Sequence, residues 1–495
     1  MLTVVVKGSF KEAKKTIIEG NKEGEALEFR LDLFDDLSHI SKLRSACSLP
    51  VIFTLRKASQ GGSFKEAEEV REKTVLELLK LHPDYVDIEY DCDLKFIHRI
   101  RQDFPEIGVI CSYHDFEKTP EDLKGILDEM NQIPAAIYKI ATYANSSLDS
   151  LRMLTLVRDE REKGAQIAGM CMGEKGEITR ILAPIFDSLI AYAPLKGEGE
   201  TAPGQVRVDK LEKIYHFSLL NRETKIYALI GDPTAKSIGH FVHNHIFHML
   251  KQNSVYVKIP VKPEEILSFF SLIKKLPFEG FSVTMPLKEE TSSLLDAVSL
   301  KAKAVGAINT LVKIGGDWEG FNTDAGGALD AIENLATVNG KKVVILGAGG
   351  TAKALAYEAL QRGGEVLIVN RTEEKAKRLA DLLGCKATSM QEWKMASYDI
   401  LMNTTSIGMA SKLQTSPIAD EAIQEGAIIF DAIFNPKETD LIKSAIKKGC
   451  QVVYGYEMFI RQGLKQLELW LNQPLDEEEL LQKMSEIYHE KIDSV

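Results

Sequence analysis

A lysine set in an apolar run offers the sharpest chemistry in this sequence. Lys139 stands in AIYKIA (136–141), where an ammonium is expensive to bury. Desolvation lowers a lysine pKa and frees the amine to attack a ketone as a Schiff-base nucleophile. A buried lysine paired with a carboxylate such as Glu28 or Glu89 would suit the same position, and spacing alone leaves both open. His114, one apolar run earlier, offers a proton-transfer partner because an imidazole titrates near neutrality. Other polar residues end or follow short β-rich runs: Glu28, Arg30 and Asp32, then Arg56, Glu89, Asp115, Arg180 and, in TAPGQ, Gln205. Any one of them is commonly a helix cap or a loop ion pair. Three arginines, a histidine and a lysine converging on one place predict an anionic, carboxylate-bearing substrate.

A second set lies in the other half of the chain. The apolar run KKVVILGAGG feeds the stretch GAGGTAKALAYEALQRGGEVLIVNRT (347–372). Strand, glycine turn, helix and second strand follow in the order a dinucleotide site needs. Gly347 permits the tight turn, Gly349 lets the backbone approach a pyrophosphate, and Ala352 fills the third small position. A helix from 351 aims its N-terminus at the phosphates. Where an NAD site places Asp or Glu on the ribose 2′-hydroxyl, this chain has neutral Asn370 and cationic Arg371. A 2′-phosphate fits there, so the expected cofactor is NADP(H), unless Arg371 and Lys375 are ordinary surface charges. A dehydrogenase also needs a proton donor, and Lys288 after VTMP with Asp324 in the NTD turn are the candidates.

The elements that must position these residues repeat. In the first half, β-rich runs at 3–8, 26–32, 51–56, 85–90, 107–115, 135–141, 167–173 and 189–195 alternate with amphipathic helical segments. Eight such units predict a (β/α)8 TIM barrel whose strand C-terminal ends carry the site. From 225 onward, runs at 225–231, 254–260 and 278–284 predict an open α/β unit, followed by the Rossmann nucleotide domain. The expected domains are 1–219, 220–330 and 331–495, with the last helices returning to the middle lobe. The join at 206–224 lacks a Pro/Gly/Ser-rich stretch, so the domains are expected to sit close together.

The 495 residues suit two or three domains, and a net charge of −11 argues against nucleic-acid or anionic-membrane partners. No apolar run is long enough to span a bilayer. The opening MLTVVVKGSFKEAKK orders its charges wrongly for a signal peptide. Cys47, Cys92, Cys111, Cys171, Cys385 and Cys450 form no Cys-x-x-Cys pair and read as free thiols of a cytoplasmic protein. The histidines at 240, 243, 245 and 248 do not share one helical face, so no metal is expected.

Residues 1–215 resemble type I 3-dehydroquinate dehydratase through EFRLD, FTLR…QGG, SYHDF, YKIA, MG.KG.ITR and APGQ. The resemblance implies that Lys139 forms an imine with the substrate ketone, and that His114 removes the adjacent proton and assists loss of hydroxyl as water. It further implies substrate contacts from Glu28, Arg30, Arg56, Arg180, Thr201 and Gln205. Gln60 stands where many members carry a glutamate partner of the histidine, and Thr201 replaces a more common serine.

Residues 225 to about 490 are similar to shikimate dehydrogenase through GDP.AKS, FSVTMPLKE, GAINTL, GFNTD, GAGGTAKA, NRT, NTTSIGM and EMFIRQ. That likeness implies an acid/base pair of Lys288 and Asp324 and substrate contacts from Ser237, Thr284, Asn309 and Gln462. Cofactor contacts are implied for Gly347, Ala348, Gly349, Gly350, Thr351, Asn370, Arg371, Thr372 and Gly455. Gly239 and Phe434 replace a serine and a tyrosine, each removing a hydroxyl, and Ser282 takes an asparagine position.

The two likenesses fit one another, because the dehydratase product 3-dehydroshikimate is the dehydrogenase substrate. A bifunctional enzyme of aromatic biosynthesis is expected, with channelling between the halves as a hypothesis motivated by the fusion. The alternatives are a quinate/shikimate dehydrogenase and a metabolite sensor without catalysis. Retention of Lys139, His114, Lys288 and Asp324 counts against the sensor.

Overall fold

The computed structural model describes residues 1–393, 397–409 and 416–492. The chain divides into two compact units, one of 1–225 with 251–261 and 265–277, the other of 226–250, 262–264 and 278–495. No helix among the described residues is long and apolar enough to cross a membrane.

In the first unit, eight strands run parallel as neighbours: β1 (Leu2–Gly8), β2 (Ala26–Phe34), β3 (Val51–Thr54), β4 (Tyr85–Glu89), β5 (Gly108–Asp115), β6 (Ile137–Tyr143), β7 (Ile167–Met172) and β8 (Ala191–Ala193). β8 pairs with β1, and Leu189 N–H donates to the Ile167 carbonyl (3.1 Å), which brings the sheet close to closure. This is the (β/α)8 barrel that the eight-fold alternation predicts. β3 stops at Thr54 rather than Arg56. There the backbone leaves the sheet, because Arg56 N–H turns to Asp32 Oδ1 (3.4 Å) and the Arg56 carbonyl accepts from Phe64 N–H (3.2 Å). Capping sets where helices begin: Ser9 and Glu12 form a reciprocal box before helix Phe10–Glu23, and Ser146 and Asp149 form another before Ser147–Glu162.

Side chains alternate across each strand. Val5, Ile52, Ile110, Ile137, Ala168, Met170, Ile190 and Tyr192 pack together and fill the barrel interior. Two residues past Ile110 stands Ser112, and two past Ile137 stands Lys139, so the inward face turns polar toward the strand ends.

Among the later strands, β9 (Lys225–Gly231) belongs mostly to the second unit, whereas β10 (Ser254–Pro260) groups with the first. There Ser147 Oγ donates to the Pro260 carbonyl (2.6 Å). In the second unit, β9 pairs parallel with β11 (Phe278–Val283). β12 (Ala297–Val298), β13 (Thr310–Ile314) and β14 (Asp317–Phe321) complete this lobe, β13 lying antiparallel between β11 and β14.

The nucleotide lobe is wholly parallel. Its strands are β15 (Lys342–Leu346), β16 (Glu365–Asn370), β17 (Lys386–Ser389), β18 (Ile400–Asn403), β19 (Ile428–Asp431) and β20 (Gln451–Val453). They are ordered β17-β16-β15-β18-β19-β20, so the chain reverses direction across the sheet beside β15. That is the doubly wound arrangement in which ligands bind at the switch point. The helix Gly455–Leu471 then returns to the other lobe, where Gln466 Nε2 donates to the Asn309 carbonyl (3.0 Å) and Trp470 Nε1 to the Leu311 carbonyl (3.0 Å).

Candidate active sites

The polar upper layer of the barrel surrounds a cavity lined by Glu28, Arg56, His114, Lys139, Arg180 and Tyr192, among others. A larger cavity of about 770 Å³ opens at the strand starts, past Met1, Tyr85 and Leu189. It holds none of Lys139, His114 and Arg180, and its Asp187 is tied to Arg161 and Arg222. The residues that the sequence marks for barrel chemistry line the smaller one.

Lys139 is 4% exposed, and its Nζ donates to Asp87 Oδ2. Neither Glu28 nor Glu89 takes that place, contrary to the pairing the sequence suggests. Glu28 accepts from the Thr54 hydroxyl (2.8 Å), while Glu89 faces Arg71 (2.9 Å) and Arg56 (3.3 Å). Asp87 also accepts from Arg56 Nη2 (2.7 Å) and from the Ser112 hydroxyl (2.6 Å). Burial works to raise the Asp87 pKa, but Arg56 and Lys139 overcome it and hold the carboxyl well below the usual range. On Lys139, burial pushes the pKa down and Arg56 reinforces this against the pull of Asp87. His114 is held well below the ordinary imidazole value by burial, then by Arg56 and Lys139. The ring is therefore neutral near pH 7 and able to accept a proton.

The three arginines are not equivalent. Arg30 is bound twice by Asp32 (3.0 and 2.9 Å), and Arg56 lies between Asp87 and Glu89. Arg180, on the short helix Glu177–Ile181, is 3% exposed and has no carboxylate partner among the described residues. Its Nη1 donates to Met170 Sδ (3.8 Å), its Nε is unpaired, and burial pushes its pKa down to about 10. A buried guanidinium without a counter-ion is a ready anion receptor. Gln60 Oε1, His114 Nδ1 and the Tyr192 hydroxyl are also buried without a hydrogen-bond partner, and all line this cavity. Thr201 N–H and its hydroxyl both donate to Gln205 Oε1 (2.8 and 3.2 Å), folding the last loop over the site. Gly204, at φ +75°, permits that fold: a Cβ there would stand 2.2 Å from the Gly173 carbonyl oxygen.

The second constellation brings Lys288, Asn309, Asp324 and Gln462 together. Lys288 Nζ donates to Asp324 Oδ2 (2.5 Å), and Asn309 Nδ2 reaches Asp324 Oδ1 (2.9 Å) and Gln462 Oε1 (3.2 Å). Thr323 locks the turn, its N–H donating to Asn309 Oδ1 (2.9 Å) and its hydroxyl to the Gln462 carbonyl (3.1 Å). Thr284 follows β11, its N–H donating to the Ile230 carbonyl (2.9 Å). Ser237 Oγ accepts from Gly239 N–H (3.2 Å), an internal use of that hydroxyl. Ser282 instead donates to Gln466 (2.8 Å), so it ties the long helix to the sheet. Phe434 is exposed, and its ring stacks on Phe459 with centroids 5.9 Å apart. His243 Nδ1 bonds the Gly239 carbonyl (2.8 Å), and burial pushes its pKa down to about 4.

At the nucleotide turn, Gly347 has φ +113°, and a Cβ there would stand 2.5 Å from Thr404 Oγ1. The helix Gly350–Gln361 begins with Gly349 as its cap, and Gly349, Gly350 and Thr351 are exposed beside half-buried Ala348. Asn370 Nδ2 donates to the Thr372 carbonyl (2.9 Å), shaping the turn after β16. Arg371 is exposed and makes no ion pair among the described residues. Gly455 is packed so that a Cβ would stand 2.4 Å from the Ile433 carbonyl oxygen. These groups fit a dinucleotide: open backbone at a helix N-terminus and an uncommitted cation past the second strand.

Three family models match in series: type I 3-dehydroquinase over residues 2–222, the shikimate dehydrogenase substrate-binding domain over 229–311, and shikimate/quinate 5-dehydrogenase over 330–441. Full-length relatives join them. The chain is 34% identical to the chloroplastic bifunctional 3-dehydroquinate dehydratase/shikimate dehydrogenase of Arabidopsis thaliana, covering 95% of this chain and 82% of the relative. It belongs to the bifunctional 3-dehydroquinate dehydratase/shikimate dehydrogenase family. Another relative, the shikimate biosynthesis protein AroDE of Chlamydia pneumoniae, is 33% identical over 95% of both chains. Among solved structures, a shikimate dehydrogenase in complex with NADP+ shares 33% identity at a TM-score of 0.52, covering 54% of this chain and 96% of its own. The shikimate dehydrogenase of Aquifex aeolicus shares 31% at a TM-score of 0.51, over 54% of this chain and 99% of its own.

Members of this bifunctional family are recognised in sequence by their motifs, yet Asp87 and Tyr192 escaped that route. In YVDIEY the alternation points both Asp87 and Glu89 inward, and nothing in the spacing says which of them meets the lysine. Tyr192 lies in a strand of three residues, too short to show a period.

Proposed function

We propose that the chain is a bifunctional shikimate-pathway enzyme that dehydrates 3-dehydroquinate to 3-dehydroshikimate and reduces that product to shikimate with NADPH. The barrel is residues 1–219, the substrate lobe of the dehydrogenase 220–330, and the nucleotide lobe with its returning helix 331–495. The observation that carries the dehydratase half is a buried Lys139 of lowered pKa in one cavity with a neutral His114 and an unpaired Arg180.

In its unprotonated form the Lys139 amine attacks the substrate ketone, and loss of water leaves an imine whose protonated form draws electrons from the neighbouring carbon. His114 accepts the proton from that carbon and returns it to the departing hydroxyl, which leaves as water; a water molecule then hydrolyses the product imine, freeing 3-dehydroshikimate and the Lys139 amine. Arg180 receives the carboxylate, while Glu28, Arg30, Arg56, Thr201 and Gln205 hold the hydroxyl face. Asp87 acts through Lys139 and Arg56 as a positioning residue.

In the second unit, Lys288 donates a proton to the ketone oxygen of 3-dehydroshikimate, and Asp324 holds its Nζ in place (2.5 Å). Asn309, Gln462, Thr284 and Ser237 bind substrate hydroxyls and carboxylate. NADPH supplies a hydride. Gly347 to Thr351 and Gly455 receive its backbone, and Asn370, Arg371 and Thr372 receive the 2′-phosphate. With six free cysteines, the enzyme suits a reducing cytoplasm.

Borohydride added to the chain with 3-dehydroquinate is expected to fix a covalent adduct on Lys139, found by peptide mass, and K139A is expected to lose both adduct and dehydration. Dehydration surviving in K139A at the unmutated rate would overturn the imine route.

A further inference from the structure

Tyr192 is the one inward side chain of the barrel cavity that is aromatic, hydroxylated and unpaired at its polar end. It belongs to β8, packs its ring on the core under the site, and is 6% exposed. Its ring centroid lies 5.0 Å from Lys139 Nζ, so the nucleophile sits over the ring. The hydroxyl is buried and has no hydrogen-bond partner, although Glu28, Arg56, His114 and Arg180 line the same cavity. Leaving a buried hydroxyl unpaired is destabilising, a penalty a phenylalanine would avoid while filling the same space. Burial, with Glu28 and Asp87 nearby, raises the phenol pKa well above its ordinary value, so the group is neutral and keeps its proton. It is therefore a donor awaiting an oxygen.

We propose that the Tyr192 hydroxyl is a substrate-binding group of the barrel, donating a hydrogen bond to an oxygen of the bound hydroxylated keto acid. This rests on the dehydratase role assigned above. With the ketone carbon at Lys139 and the carboxylate at Arg180, the body of a six-membered ring passes over Tyr192, which supplies both a flat apolar surface and a donor. Unlike Arg30 and Arg56, whose charges are already spent on Asp32, Asp87 and Glu89, Tyr192 has no competing partner to release when substrate arrives.

The test is Y192F in the full chain, which removes one oxygen and keeps the ring. Steady-state dehydration of 3-dehydroquinate is measured beside borohydride trapping at saturating substrate. The expected result is a fall in kcat/KM of about tenfold or more, carried by KM, with the Lys139 adduct still trapped. The adduct shows that the barrel is folded and the nucleophile in place. A kcat/KM within twofold of the unmutated chain, or a loss carried by kcat alone, would overturn the assignment. Failure of the unmutated chain itself to form the adduct would overturn both this assignment and the dehydratase role. Y192F forming the adduct with unchanged KM would overturn only the former.

Discussion

Replacing Asp87 by Asn asks how the barrel lysine is tuned, because it removes a charge and almost no volume. Asp87 raises the Lys139 pKa against burial and Arg56, so its loss lowers that pKa further. The acid limb of the pH profile of kcat/KM for dehydration is expected to move to lower pH in D87N. The maximum should fall about tenfold or more, since the amine is no longer held. Arg56 keeps Glu89 at 3.3 Å and is not orphaned by the change. An acid limb that stays put or moves up would contradict the electrostatic role. Arg371 makes a second case at this scale. R371A is expected to raise the KM for NADPH about tenfold and leave that for NADH unchanged, whereas equal effects on both would make it a surface charge. Sequence made Lys139, His114 and Arg180 legible because each breaks an apolar or glycine-marked pattern. It did not show that Arg56 was already neutralised, since its partners on the neighbouring strand leave no local trace, nor that Arg30 turns back on Asp32 two residues along its own strand.

Elements were read from the same sequence with uneven success, for physical reasons. β5 and β16 show a period or an apolar run, and their ends fell within a residue or two, whereas the antiparallel pair β13 and β14 was not read as strands. β3 is short because Asp32, on another strand, captures the backbone at Arg56, and just past β8 the Pro194 carbonyl accepts from Val208 N–H (3.0 Å) instead of continuing a ladder. The end of β19 carries a buried carboxyl whose ionisation is testable. Asp431 ends β19, is 1% exposed and accepts from Asn403 Nδ2 (3.0 Å), the Thr439 hydroxyl (2.6 Å) and Ile433 N–H (3.1 Å). Burial raises its pKa to about 6 despite these donors. The folded state therefore binds a proton that the unfolded chain does not bind between pH 6 and 4. Stability contributed by this group rises as pH falls through that window and is lost again above it. Denaturant unfolding of the unmutated chain should thus gain roughly 1–2 kcal/mol relative to D431N between pH 7.5 and 5. Parallel pH profiles for the two chains would show that Asp431 ionises normally.

At the scale of the whole molecule, two chemistries with no shared residue occupy one polypeptide. In the proposed assignment one uses the buried Lys139 amine with a neutral imidazole, and the other the Lys288–Asp324 pair with the nucleotide lobe. Each should therefore fail alone. K139A is expected to keep reduction of 3-dehydroshikimate within twofold, and K288A to keep dehydration while 3-dehydroshikimate accumulates. Loss of both activities in either variant would mean that the units depend on one another. The most direct measurement is oxidation of NADPH by the purified chain given 3-dehydroquinate alone. Absorbance at the reduced cofactor's band should fall after a lag, as the barrel's product reaches the dehydrogenase, and 3-dehydroshikimate in its place should abolish the lag. No oxidation with 3-dehydroquinate, from a folded chain that binds NADPH, would contradict the two-step assignment.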